Sequence, residues 1–509
     1  MTNHYDKRPS CTSAEFNSLV TNTKSKIRQY VTAFVVNIIA FGFGTVNGWP
    51  SPAQSMLQSP HPPIGDTPFT DEEISWLGSI VFIGGVIGSL VWSQVADRLG
   101  RKAAGYLTAV PFIISWSIMI FATDYWSLLG ARFIVGIGCT GSLINVPLIV
   151  SEMADKDLRG PLGTCLVLSL NGGYLFSYVI GAFATFTQLN VSCAFVPIVF
   201  LVLFYWIPES PSFLISKDKV KEARESLLWY RGDDEDVTEV EMRFLQSQAF
   251  TKPNNVSVAA LFTDRGVFRG FIIGFILIMG QQITGANFVL TYTASIFKAA
   301  GSKLEPDICT IIIGMLQLIA SIVSCVVVNK AGRKILLLLT YLGIFLALST
   351  MGACYYLIDT GTDISSFSFV PIVALSFFVT CNAMGVGPVP YILFGEILPG
   401  YIQNMAISVF FLFGIFGAFL TVKTYPTLNA IWGMHGTFLF YALCSLSMFI
   451  YTMLFVPETK GRSVRSILRE LKGTPDTKKS AINETESTNS STLGIDMTKS
   501  TLELTNHSS

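Results

Sequence analysis

Asp97-Arg98-Leu99-Gly100-Arg101-Lys102 and Asn329-Lys330-Ala331-Gly332-Arg333-Lys334 are two copies of one phrase. Each copy lies between two strongly apolar stretches, so each reads as a tight basic hairpin joining two membrane-length helices. The copies are separated by nearly half the length of a 509-residue chain, which implies a duplicated membrane unit. Two more landmarks recur at a similar offset. Pro208-Glu209-Ser210 is echoed by Pro457-Glu458-Thr459, and Ser151-Glu152 by Gly395-Glu396.

Working outward from the hairpins, half of the residues are apolar (51%) and only 13% are charged, with a mean hydropathy of +0.53. A soluble chain of this length needs far more charge to cover its surface. Twelve apolar segments stand out, at 31–49, 74–94, 104–121, 126–150, 162–184, 193–207, 268–290, 308–328, 335–357, 367–394, 404–424 and 435–456. Most reach the roughly 20 residues that an α-helix needs to cross about 30 Å of hydrocarbon. Lys and Arg gather at the N-terminus and in the even-numbered connections. The first connection (50–73) carries Asp66, Asp71, Glu72 and Glu73 without a base. This bias predicts both termini in the cytoplasm. The expected organisation is a cytoplasmic N-terminal segment (1–30), a six-helix bundle (31–207), a cytoplasmic linker with short helices (208–267), a second six-helix bundle (268–456) and a mostly disordered cytoplasmic tail (457–509). Six plus six helices related by an axis along the membrane normal is the all-α major facilitator fold.

Other function classes find little support. The net charge of +0 argues against a nucleic-acid partner. No nucleophile–base pair, phosphate loop or metal-ligand spacing is present, so no enzyme and no cofactor are expected. The polar stretch ahead of the first apolar run shows no cleavable signal peptide. Most of the nine cysteines fall inside spans and read as small apolar packing residues rather than a disulfide framework. The sequon Asn190-Val191-Ser192 hugs the membrane, which disfavours glycosylation. Asn255, Asn483 and Asn489 begin sequons expected in the cytoplasm.

Two groups of polar residues are candidates for function. Asp97, Arg98, Arg101, Glu152, Arg159 and Glu209 in the first half, with Arg333, Glu396 and Glu458 in the second, lie at equivalent helix ends. They are either solvated loop charges or pairs that latch the halves together on the inside and break on opening, which a few kcal/mol would make an effective bias. Arg132 is separate: a few residues inside the outer end of the fourth span, it must be paired, face water or take backbone carbonyls. In the seventh span Gln281 lies near mid-membrane, next to Gln282. Uncharged amides at that depth are costly unless they meet a partner or a wet cavity. They offer the donors and acceptors that sugar hydroxyls need. A break near Gly285 could turn Asn287 toward the same cavity.

The chain resembles the sugar-porter family of the major facilitator superfamily, of the glucose-facilitator type, over about residues 30–465. The motifs are Asp97–Lys102, Gly130-Ala131-Arg132, Ser151-Glu152-Met153-Ala154, Arg159-Gly160, Pro208-Glu209-Ser210-Pro211, Gln281-Gln282, Asn287, Gly387-Pro388-Val389-Pro390, Glu396 and Pro457-Glu458-Thr459. Gly48–Ala53 and Thr421–Thr424 resemble the insect trehalose-facilitator branch. The resemblance implies sugar contacts at Gln281, Gln282, Asn287, Tyr292, Gln317 and Tyr391. It also exposes departures. Val167 stands where the family has a Gln, Thr291 precedes the retained Tyr292, Gln317 replaces an Asn, Tyr391 a Trp, and Gly414-Ile415 an Asn-Trp. Asn329 and Gln403 replace an acid and an Arg at the latch. The first span has no carboxylate where proton-coupled relatives carry an Asp. The expected activity is passive transport of a sugar, trehalose or a hexose, by rocking of two halves in the plasma membrane. The alternatives are another neutral solute or a non-transporting sensor.

Overall fold

The computed structural model describes residues 23–249, 264–300, 304–362, 367 and 369–472. The expected disordered tail beyond 472, most of the N-terminal segment, Cys11 and the sequons at Asn255, Asn483 and Asn489 lie outside them. Within this range the chain is helical. The first half runs through α1 (Thr23–Gly48), α2 (Pro50–Leu57), α3 (Asp71–Leu99), α4 (Arg101–Phe121), α5 (Tyr125–Met153), α6 (Lys156–Phe183) and α7 (Phe186–Phe204). Three short helices follow: α8 (Pro211–Ser216), α9 (Val220–Tyr230) and α10 (Glu235–Ala249). The second half comprises α11 (Arg265–Ile283), α12 (Ala286–Thr291), α13 (Thr293–Ala299), α14 (Pro306–Ala331) and α15 (Arg333–Asp359). It continues through α16 (Val370–Cys381), a π-helical turn (Asn382–Val386), α17 (Val389–Ile397), α18 (Gly400–Phe455) and α19 (Val464–Lys472).

Among the described residues, eleven helices are long and apolar enough to cross a membrane. The last, Met405–Phe455, has 51 residues. At 1.5 Å per residue that is about 77 Å, enough for two crossings of a 30 Å core. Gly433 breaks it with a non-helical φ of 67° and ψ of 177°. The sixth apolar segment, expected to be short, becomes a 19-residue helix because Thr185 and Gln188 cap it reciprocally, upstream of the expected start at Cys193. Thr70 and Glu73 form the same box at the head of α3.

Helices that share lipid with their neighbours have no hydrophobic drive to associate and pack through small residues instead. At the crossing of α3 and α5, a Cβ on Gly84 would fall 2.1 Å from the Phe133 carbonyl, and one on Gly136 2.0 Å from that of Val81. Only glycine admits that approach. Within the first half α3 packs on α5 and α1 on α6; in the second, α15 and α11 pack on α18. The halves meet along α3–α18 and α6–α14. The eight described cysteines form no disulfide with one another.

Candidate functional site

The two hairpins fold into near-identical networks. Gly100 and Gly332 adopt φ of 100° and 91°, which lets the chain turn directly from one helix into the next. The turn leaves the first N–H groups of α4 and α15 open, and a carboxylate caps each set. Glu209 accepts from the amides of Arg101 (2.9 Å) and Lys102 (3.0 Å); Glu458 accepts from those of Arg333 (3.0 Å) and Lys334 (3.2 Å). Burial alone would raise the Glu458 carboxyl, but amides of Lys460, Arg333, Lys334 and Thr459 outweigh it and hold it below the usual carboxylate range. Arg101 pairs with Glu152 at 2.7 Å, and Arg333 with Glu396 at 2.8 Å. Both arginines also bond back to a carbonyl in the preceding helix, Ala96 and Val328.

In this conformation these pairs do not form a latch between the halves. Each joins elements of one half, and between described residues every ion pair on this face stays within one half or the helices attached to it. Asp97 is a distant partner of Arg101 (3.7 Å), while Arg98 and Arg159 are exposed and make no ion pair with a described residue. The linker is tied to the first half by fully paired charges. Arg231 is buried against Glu241 (2.5 Å), Asp155 (3.1 Å) and the Met153 carbonyl (3.1 Å). Arg28 and Lys24 bond Asp233 and hold its carboxyl at about 2. In the second half Gln403 lies against Gly395; the side chain of Asn329 is outside the described residues.

Contacts between the halves occur instead from mid-molecule to the opposite face. Lys423 of α18 donates to Ser75 Oγ of α3 (2.9 Å), sits 4.4 Å from the Trp76 ring centre and 3.8 Å from Glu72. The Ala294 amide donates to Ser51 Oγ (3.2 Å), and Tyr178 Oη to the Leu290 carbonyl (3.0 Å). Deeper in, Gln317 and Ser321 bond Asn171. Among the described residues these are the hydrogen bonds between halves, so the molecule is closed on the face opposite the hairpins.

The amide cluster forms where α11 ends. Gly285 takes a left-handed φ of 82° and restarts the helix as α12. The break brings Asn287 Nδ2 to Gln282 Oε1 at 2.7 Å, so Asn287 joins Gln282 rather than Gln281. Gln281 donates to the Gly387 carbonyl beside the π-helical turn (3.3 Å), with Tyr391 as its neighbour. Buried Gln282 rests on α18, where Cβ atoms at Gly414 and Gly417 would come 3.7 and 2.9 Å from it. The missing eleventh-span Asn is thus space that Gln282 uses. Tyr391, packed on Phe394 and Phe411, keeps 41% of its surface open. Tyr292 does not join the cluster: it stacks on Tyr425 in an aromatic core with Phe288 and spends its hydroxyl on the Val422 carbonyl (3.4 Å). The carbonyl oxygens of Gln281, Gln317 and Asn382 are buried without a protein partner. Such acceptors are costly unless a bound solute or a water supplies the donor.

Sequence reasoning misses Asn171, Asn382 and Lys423. Asn171 is an amide one helical turn beyond Val167, and that signal is present in the chain. Lys423 lies inside a motif that by itself carries only a family resemblance. Arg132 is completely buried; it donates to the carbonyls of Leu77 (3.0 Å) and Val46 (2.7 Å) and lies 5.1 Å from the Trp49 ring, with no carboxylate among its described partners. Asn190 is also buried, bonded to Trp49 and Met119, which closes its sequon to modification.

Comparison with known proteins agrees with this architecture. The inward-open xylose transporter XylE of E. coli superposes with a TM-score of 0.70 at 20% identity, over 86% of this chain and 99% of that one, which establishes the major facilitator fold. The facilitated trehalose transporter Tret1 of Polypedilum vanderplanki is 32% identical over 448 residues, 87% of this chain and 88% of that protein. Tret1 of Anopheles gambiae is 32% identical over 449 residues, 87% of this chain, and there the match spans only 56% of the relative. The family model described as sugar (and other) transporter matches residues 18–471. By that match and these relatives, the chain belongs to the sugar-porter family of the major facilitator superfamily, multi-pass membrane transporters rather than enzymes.

Proposed function

We propose that this chain is a facilitative carrier of trehalose or a hexose in the plasma membrane, working by alternating access with both termini in the cytoplasm. The observation that carries the reading is the amide cluster at the α11–α12 break. Gln282 and Asn287 are brought together there, and Gln281, Gln317 and Asn382 hold buried acceptors that no protein group fills. Neutral amides with spare acceptors suit a polyhydroxylated, uncharged solute. The insect relatives named for trehalose support that sugar, and the basic hairpins support the orientation. Closure of the face opposite the hairpins, with charge pairs kept inside each half, supports rocking of two rigid bundles.

Arg132 supports uniport. Proton coupling needs a carboxylate that titrates within the membrane, and the described partners of Arg132 are two backbone carbonyls and an aromatic ring, with no acid among them. A second reading, another neutral solute, draws on Val167, Gly414 and Ile415, where hydrogen-bonding partners expected of the family are absent. Uptake of radiolabelled trehalose and glucose by proteoliposomes, with and without an inward proton gradient, separates these. Saturable flux that ignores the gradient is expected; gradient-driven flux would end the uniport reading, and no flux of either sugar the carrier reading. Gln282→Ala should raise KM about tenfold. An unchanged KM would remove Gln282 from the site.

A further inference from the structure

One polar cluster joins the halves at mid-depth: Asn171 of α6 with Ser321 and the candidate sugar contact Gln317 of α14. The direction of every hydrogen bond in it follows from counting donors and acceptors. The Ser321 hydroxyl donates its single proton to the main-chain carbonyl of Gln317 (2.8 Å). Its oxygen is then an acceptor, so Asn171 must offer its NH2 group, which it does at 2.5 Å. That leaves the Asn171 carbonyl as an acceptor, and Gln317 meets it with its own NH2 at 2.8 Å. The orientation of the Gln317 amide is therefore imposed from Ser321 through Asn171. Its carbonyl Oε1 points away from the relay, buried and without a protein partner.

Depth places this relay level with the amide cluster. Helices α6 and α11 start at the hairpin face, at Lys156 and Arg265, and α14 ends there at Ala331. Counted from those ends at 1.5 Å per residue, Asn171, Gln281 and Gln317 all sit about 21–24 Å from that face. Val167, where the family's Gln has been lost, is one turn nearer the hairpins on the same side of α6.

We propose that Asn171 is a specificity-determining positioning residue. By anchoring the Gln317 amide through Ser321, it fixes that amide with its carbonyl toward the solute. The site then accepts a hydrogen bond from one sugar hydroxyl at this point and cannot offer one. Without the relay the Gln317 amide is free to turn over and present either end. Because Asn171 belongs to one half and Gln317 to the other, this polarity holds only while α6 and α14 are in contact. The proposal rests on the sugar-carrier reading above.

The test uses the full chain in proteoliposomes, with glucose and its monodeoxy and monofluoro analogues competing for uptake. Fluorine can accept weakly but cannot donate. For the wild type, at one ring position, both the deoxy and the fluoro analogue should compete about tenfold or more weakly than glucose, because the hydroxyl there must donate. In Asn171→Ala the fluoro analogue at that position should recover several-fold relative to the deoxy one, while KM for glucose rises more than kcat falls. Ser321→Ala should give the same recovery through a residue one step further away, and it carries the test if Asn171→Ala does not reach the membrane. A uniform shift of all analogues in both variants, as a merely structural clasp would give, overturns the proposal. So does a wild type that tolerates fluorine at every position. Absence of sugar flux in the wild type would instead overturn the carrier reading, and the relay's role with it.

Discussion

On the hairpin face, charge holds each half to itself; on the opposite face, Lys423 reaches from one half to the other. Arg101 and Arg333 sit in matching networks that never leave their own bundle, whereas Lys423 reaches from α18 to Ser75, Trp76 and Glu72 on α3. The spacing of the hairpin charges along the chain suggests a latch between halves. In this conformation they are splints within each bundle, and the contacts between the halves lie on the other side. The two splints also differ. Both nitrogens of the Arg101 fork engage Glu152, which offers both of its oxygens. Arg333 reaches only Oε1 of Glu396, because Thr459 occupies Oε2. Two-point pairing is the stronger arrangement.

The largest effect should come from Arg101→Ala, which strands the mostly buried Glu152 (side chain 15% exposed). It should cost about 2–3 kcal/mol, read as a fall of several degrees in the melting temperature of purified protein. Arg333→Ala should cost less, about 1–2 kcal/mol, since Glu396 is more open and keeps Thr459. Equal losses would show that the second oxygen of Glu152 contributes nothing. Lys423→Met should leave the melting temperature nearly unchanged and shift the balance between conformations by about 1 kcal/mol. In the proposed orientation, a cysteine placed at Ser75 should then react several-fold faster with an impermeant maleimide applied outside cells. No acceleration would show that Lys423 does not hold that face shut.

Two smaller effects sharpen the comparison between the splints. Glu458 has a folded-state pKa below its ordinary value, so its contribution is present above the usual carboxylate range and fades as pH falls through the folded value. Acid titration of stability should therefore show a loss that Glu458→Gln flattens. Asp97→Asn should do least. Its carboxylate is 70% exposed and 3.7 Å from Arg101, so a change under about 1 kcal/mol is expected. A larger loss would mean that the unequal residues at Asp97 and Asn329 account for the difference between the two networks.

Much of the fold is legible because its signals are local. Membrane-length apolar runs, basic turns and a repeated phrase each act over short stretches of chain, and the bilayer leaves only helices as an answer. The break at Gly285 is readable for the same reason, but the structure joins Asn287 to Gln282 and not to Gln281. Tyr292 is misplaced by sequence reasoning because its partner, Tyr425, comes from α18, far along the chain, and nothing local tells an aromatic core from a cavity wall. Arg98 and Arg159 match the family's motif, yet in this conformation both point to solvent.

The sequence by itself determined the duplicated helical architecture, the basic face and the acids and arginines that meet at each hairpin, because these depend on hydropathy, charge and spacing along the chain. Only the tertiary structure decided which charges join the halves and which stay within one, and which way the Gln317 amide faces. Those depend on donors and acceptors brought together from distant helices, as with Lys423 and Ser75, and the geometry of packing alone fixes their partners.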